Sequence, residues 1–177
     1  MFRIKVLLLG MLLCFAINVP VWASDGIETA GDVLSFLLPA TAAGLTVGFK
    51  DTEGMLQFGE SAALTLGLSY GLKYTINEKR PNGEDHSFPS NHASISFASA
   101  EFMRKRYGWE YGIPAYIAAA FVGYSRVESN QHYTHDVIAA AAIGIGSSYL
   151  FTQPYKGWQI SLDIDHEYYG IILSRTW

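Results

Sequence analysis

Long apolar runs at helical spacing, broken by short polar connections, constrain this chain more than any other feature. Residues 33–49 and 137–155 carry no charge over 17 and 19 positions. Five helices are predicted. The first, 32–49, closes at a polar turn over 50–54 and contains Pro39, which is expected to bend it. The second, 55–74, has Leu64, Leu68 and Leu72 on one stripe. The third, 92–107, has an apolar face of Ile95, Ala98 and Phe102, with basic residues 104–106 in its last turn and Gly108 ending it. The fourth, 112–126, has Ile113, Ile117, Phe121 and Tyr124 in phase. The fifth, 134–151, is rich in Ala and Gly, so a neighbour can pack close. Beyond Pro154, Ile160, Leu162 and Ile164 alternate with polar residues, and 168–173 reads as a returning strand. The expected fold is all-α: an antiparallel helical bundle with its core over about 32–151 and a short C-terminal β-hairpin-like appendage.

Residues 1–23 have a basic start (Arg3, Lys5), an apolar run and small or compact residues at Val21 and Ala23. That layout predicts a signal peptide cleaved before Ser24, an exported protein and a single domain over 24–177. Removing the leader leaves ten bases against sixteen acids, which argues against a nucleic-acid partner. It also removes Cys14, the only cysteine, and with it disulfides, thiol catalysis and Cys-ligated zinc. The two charge-free runs are at the short end of a bilayer span. They read as core helices of a soluble or peripherally membrane-bound domain.

Three polar clusters interrupt this background: Lys73 with Arg80-Pro81, Pro89-Ser90-Asn91-His92, and Ser125-Arg126 followed by His132 and Asp136. Each alone has a structural reading, as solvated helix-end charges, a helix cap or loop histidines. The predicted elements deliver all three to one rim. Helices three and four, each about 15 residues or roughly 22 Å, form an antiparallel pair that returns Arg126 to the level of His92. Three cations, two imidazoles and a carboxylate suit a tetrahedral oxyanion, with the N–H groups of the third helix and the Ser90 hydroxyl beside them. One histidine attacks phosphorus and the other protonates the leaving oxygen. Asp136, four residues beyond His132, is placed to fix an imidazole tautomer. The scheme needs no metal and no cofactor.

At these residues the sequence resembles the type 2 phosphatidic acid phosphatase and vanadium haloperoxidase superfamily. Its motifs are Lys-x6-Arg-Pro, Pro-Ser-Gly-His and Ser-Arg-x5-His-x3-Asp. The first and third are matched in full, and the second carries Asn91 in place of Gly. The resemblance implies that Lys73, Arg80 and Arg126 bind phosphate, with Ser90 and the amide of Asn91 assisting. It further implies that His132 is the nucleophile, His92 the general acid and Asp136 the group that orients His132. His135 is treated as a rim residue, and His86 and His166 receive no role. The expected substrate is a phosphorylated lipid or a small phosphate ester, and the expected location is periplasmic or membrane-associated. Competing expectations are a vanadate-dependent haloperoxidase, a non-specific acid phosphatase on soluble esters, a hydrolase with metal on His92, His132, His135 and Asp136, and a structural membrane protein.

Overall fold

The structure, a computed structural model, describes residues 24–155 and the backbone of 157–164 and 169–176. The predicted leader and His166 lie outside the described residues. Among the described residues five helices follow in order: α1 (Ser24–Gly48), α2 (Thr52–Ile76), α3 (Asn91–Tyr107), α4 (Trp109–Glu128) and α5 (Thr134–Phe151). Strands β1 (Gly157–Ile164) and β2 (Tyr169–Thr176) pair antiparallel from Gly157↔Thr176 to Ile164↔Tyr169.

The helix ends follow local chemistry. Asp51 caps α2 by accepting the Gly54 N–H at 2.9 Å. Asn77 stops it in the left-handed region, its N–H on the Lys73 carbonyl. Gly108, at φ 99°, is the whole joint between α3 and α4, so α4 begins three residues earlier than expected. α1 begins eight residues earlier, and the added turns bring Glu28 to the site described below.

The bundle is built around α3, which packs mainly on α4 and α5 and also touches α1 and α2. Its core holds Leu38, Ala42, Phe58, Phe102, Met103, Tyr111 and Val122. The predicted stripes on the second and fourth helices keep their helical phase but lie on the outer side. α2 buries Ser61, Thr65, Ser69 and Lys73 while Leu68 is exposed. α4 buries Ala115, Ala118, Ala119 and Val122 while Ile113, Ile117 and Tyr124 are exposed. Small residues let the backbones approach, and the inward hydroxyls are satisfied locally. Ser61 and Thr65 each donate to the carbonyl four residues back at 2.7 Å, and Ser69 reaches Ser94 on α3 at 3.0 Å. At Gly144 of α5 a side chain would overlap the Ser94 carbonyl and the Ala98 amide of α3.

A polar knot closes the end of the bundle opposite the site. Arg106 grips both oxygens of Asp51 at 2.6 and 2.7 Å and donates to the Gln153 carbonyl at 2.9 Å. Tyr107 adds a bond to Asp51 at 2.9 Å, and Gln57 accepts the Gln153 N–H at 2.9 Å. The α1–α2 turn, the end of α3 and the strap leading to the hairpin are thereby tied together.

Candidate active site

The other end of the bundle collects the polar clusters. Lys73 comes from the last turn of α2, Arg80 and Ser87 from the following loop, and Ser90, Asn91 and His92 from the start of α3. Arg126 comes from the end of α4, Gln131 and His132 from the next connection, and Asp136 from the first turn of α5. A cavity of about 360 Å³ opens among them, lined by Glu28, Asp32, Phe36, Arg80, His92, Arg126, Gln131 and His132.

His132 is almost wholly buried. Its Nδ1 lies 3.3 Å from Asp136 Oδ2, which leaves Nε2 as the ring nitrogen available to a ligand. Asp136 is itself held in place: its Oδ2 accepts the Tyr133 N–H at 2.9 Å and the Ser87 hydroxyl, and Ser87 also lies 3.4 Å from His132 Nδ1. The His132 N–H bonds the Arg126 carbonyl at 3.1 Å, coupling nucleophile candidate and guanidinium through the backbone. Burial, with Lys73 and Arg80 nearby, pushes the His132 imidazole down to about 4, so it is neutral at physiological pH. Burial and then Arg126 also lower His92 below the usual imidazole value, while Asp32 opposes that shift.

The remaining expected phosphate ligands divide. Arg80 and Arg126 reach the cavity wall. Arg80 Nη1 bonds Gln131 at 2.9 Å and Glu84 at 3.0 Å, and its buried Nε has no hydrogen-bond partner. Arg126 bonds Asp32 and the Glu28 carbonyl, each at 2.7 Å. Lys73 sits behind the wall with Nζ on the carbonyls of His86 and Ser87 at 2.7 and 3.2 Å, and burial followed by Arg80 lowers it to about 8. It therefore anchors the loop that carries Arg80 and Ser87. Ser90 is buried, with its hydroxyl accepting the Ala93 N–H as the helix cap at 3.4 Å. Asn91 opens α3 with its buried Oδ1 unpartnered. Neither of these two lines the cavity.

The metal grouping of His92, His132, His135 and Asp136 is not the one the fold assembles. Among the described residues the three ligand atoms that lie together belong to Glu78, His135 and Asp136. His135 is 3.1 Å from Glu78 Oε1 and 3.2 Å from Asp136 Oδ1, and its ring stacks on Tyr133. His92 and His132 face the cavity instead. Sequence reasoning missed Ser87, Gln131, Glu28, Asp32 and Phe36. Gln131 adjoins a motif histidine, but the other four lie outside the motif positions and carry no spacing signal.

A buried neutral imidazole backed by a carboxylate, a second imidazole and two guanidinium groups around one cavity form an arrangement that can hold a tetrahedral oxyanion. Residues 54–159 match the PAP2 superfamily, and the chain belongs to that family: it is a PAP2-type phosphoric ester hydrolase. It is 30% identical to the Lipid A 4'-phosphatase of Helicobacter pylori over 85% of both chains. It is 34% identical to the Lipid A 1-phosphatase of Porphyromonas gingivalis over 67% of this chain but only 29% of that longer one. Its fold is similar to the crystal structure of Aquifex aeolicus LpxE, with a TM-score of 0.61 and 18% identity, covering 78% of this chain and 92% of the other.

Proposed function

We propose that this chain removes a phosphate group from a lipid headgroup, of the lipid A class, through a phosphohistidine on His132 and without a metal. The observation that carries the reading is the pairing of Asp136 with a neutral His132 on the wall that also holds Arg80, Arg126 and His92. Arg80 and Arg126 orient the phosphoryl oxygens and balance their charge. His132 Nε2 attacks phosphorus, the bond to the leaving oxygen breaks, and His92 gives that oxygen its proton. Asp136 holds the Nδ1 proton and the positive charge that develops on the ring. Water then attacks the phosphohistidine, His92 takes its proton, and inorganic phosphate leaves.

Two observations support a lipid. Two relatives are lipid A phosphatases by name. The bundle also turns Phe36, Val47, Leu56, Ile117, Ile138 and Leu150 outward, and Gly26–Gly48 is long and apolar enough to cross a bilayer. Membrane association and delivery to the periplasmic side, guided by residues 1–23, belong to the same proposal.

The test is phosphate release from lipid A in mixed micelles beside a soluble aryl phosphate, for the parent chain, His132→Ala and His92→Ala. Activity on the lipid, lost by about a thousand-fold or more in His132→Ala and unaffected by EDTA, is expected. Full activity in both variants removes the mechanism. Preference for the aryl ester removes the lipid assignment alone.

A further inference from the structure

α1 contributes to this site although it carries none of the three motifs. Asp32 Oδ1 lies 2.7 Å from Arg126 Nη1 and 3.8 Å from His92 Nε2. One turn earlier, the Glu28 carbonyl accepts Arg126 Nη2 at 2.7 Å. The Glu28 carboxylate accepts from Gln131 at 3.0 Å, and Gln131 in turn accepts from Arg80 at 2.9 Å. Between them, Gly31 lies against Ser125 and Arg126 so closely that a methyl group there would overlap the Ser125 hydroxyl. The approach of α1 to the guanidinium of Arg126 is thus built into the helix packing.

A carboxylate on the arginine of an anion site competes with the anion. Its second neighbour gives it another use. The charged and titratable groups around His92 are Lys73 from α2, Arg80 from the loop, Arg126 from α4 and His132 from the α4–α5 connection, with Asp136 of α5 behind it. Opposite them stand Glu28 and Asp32 from α1. Among the described residues, Asp32 is the carboxylate within 4 Å of His92. The cations favour a neutral ring, whereas proton donation to a leaving oxygen needs the charged one.

We infer that Asp32 is a positioning residue with two stations: it neutralises Arg126 in the empty cavity, and when phosphate displaces it there it pairs with His92 and keeps that imidazole protonated. Phosphate takes over Arg126, and the proton of the His92 imidazolium passes to the leaving oxygen while the P–O bond breaks, leaving a neutral ring beside Asp32. The inference rests on the phosphohistidine reading above. It adds a specificity element, since a ligand must out-compete a resident carboxylate to enter.

The experiment uses the full chain in detergent micelles, comparing the parent with Asp32→Asn, Asp32→Ser and Asp32→Glu. Asp32 is 43% exposed in its side chain but its partner Arg126 is buried, so Asp32→Glu, which keeps the charge, also controls for folding. Inorganic phosphate is titrated as a competitive inhibitor, and kcat is followed against pH on lipid A. In the Asn and Ser variants phosphate is expected to bind several-fold tighter, and the alkaline limb of kcat to move acidward by about one unit. Asp32→Glu is expected to restore the limb. Unchanged phosphate affinity with an unmoved limb, or a uniform fall in kcat at every pH, overturns the inference. If those results come with an inactive His132→Ala, the catalytic reading stands without it. An active His132→Ala instead removes the reading itself.

Discussion

His132 and Asp136 are one helical turn apart in sequence, and a (i, i+4) pair of this kind meets on one face wherever the backbone is helical or nearly so. The spacing brings the two residues near each other, but α5 begins only at Thr134, so their pairing rests on the turn that Asp136 closes onto the Tyr133 N–H. The gathering of Arg80, His92 and Arg126 at one rim is legible from the helix plan. Ser87 is not, because its bond to Asp136 depends on a loop path that no periodicity encodes. The electrostatics set a testable pH dependence. His132 must be neutral to attack, so activity is present above its pKa of about 4 and lost below it. His92 must be protonated to donate, so activity is lost as pH rises through its pKa, which lies below the usual imidazole value. The kcat/KM profile, which reports the free enzyme, is expected to be a bell with its optimum on the acid side of neutrality. A plateau extending to pH 8 and above would contradict these assignments. Asp136→Asn keeps the shape but offers a donor where an acceptor is needed, and a fall in kcat of about 10³–10⁴ is expected in single-turnover assays.

At the scale of elements, the expected and observed limits of α5 coincide, because Thr134 follows a polar connection and Pro154 lies just beyond its end. The phase of α2 and α4 is also legible. Their orientation is not: apolar periodicity identifies a face but not what the face meets, and here the meeting side is made of Ser, Thr, Ala and Gly. The far-end knot is equally invisible, since Asp51 and Arg106 are 55 residues apart. Removing its cation leaves Asp51 buried without a counter-charge. Arg106→Ala is expected to destabilise the bundle by about 3–5 kcal/mol, read as a lower thermal midpoint in detergent. Its kcat/KM below that midpoint should stay near that of the parent, because the knot is at the opposite end from the cavity. A parental midpoint would mean that the knot is stabilised by its other bonds alone.

For the whole molecule, an aromatic and aliphatic core around Phe58, Phe102 and Met103 is joined, among the described residues, by many large apolar side chains that face outward. In water, exposed side chains such as Phe36, Ile117 and Leu150 gain nothing from facing solvent, whereas a hydrocarbon surround satisfies them. The protein is expected to stay with vesicles of anionic and zwitterionic lipid through high salt and to need detergent for release. The double variant Ile117→Glu, Leu150→Glu should weaken that retention while keeping turnover of a soluble aryl phosphate. Release of the parent chain by salt alone would point to a peripheral, charge-held association.

Residue order alone determined the helical character of the chain, the approximate helix limits and that Arg80, His92, Arg126 and His132 meet at the rim. These follow from local periodicity, turn chemistry and short spacings, which act through a few neighbouring residues. Tertiary structure alone decided which helix faces turn inward, that Lys73 braces a loop instead of lining the cavity, and that α1 brings Asp32 onto Arg126 across 94 residues. Those outcomes depend on how closely backbones approach, and that distance is set jointly by residues far apart in the chain.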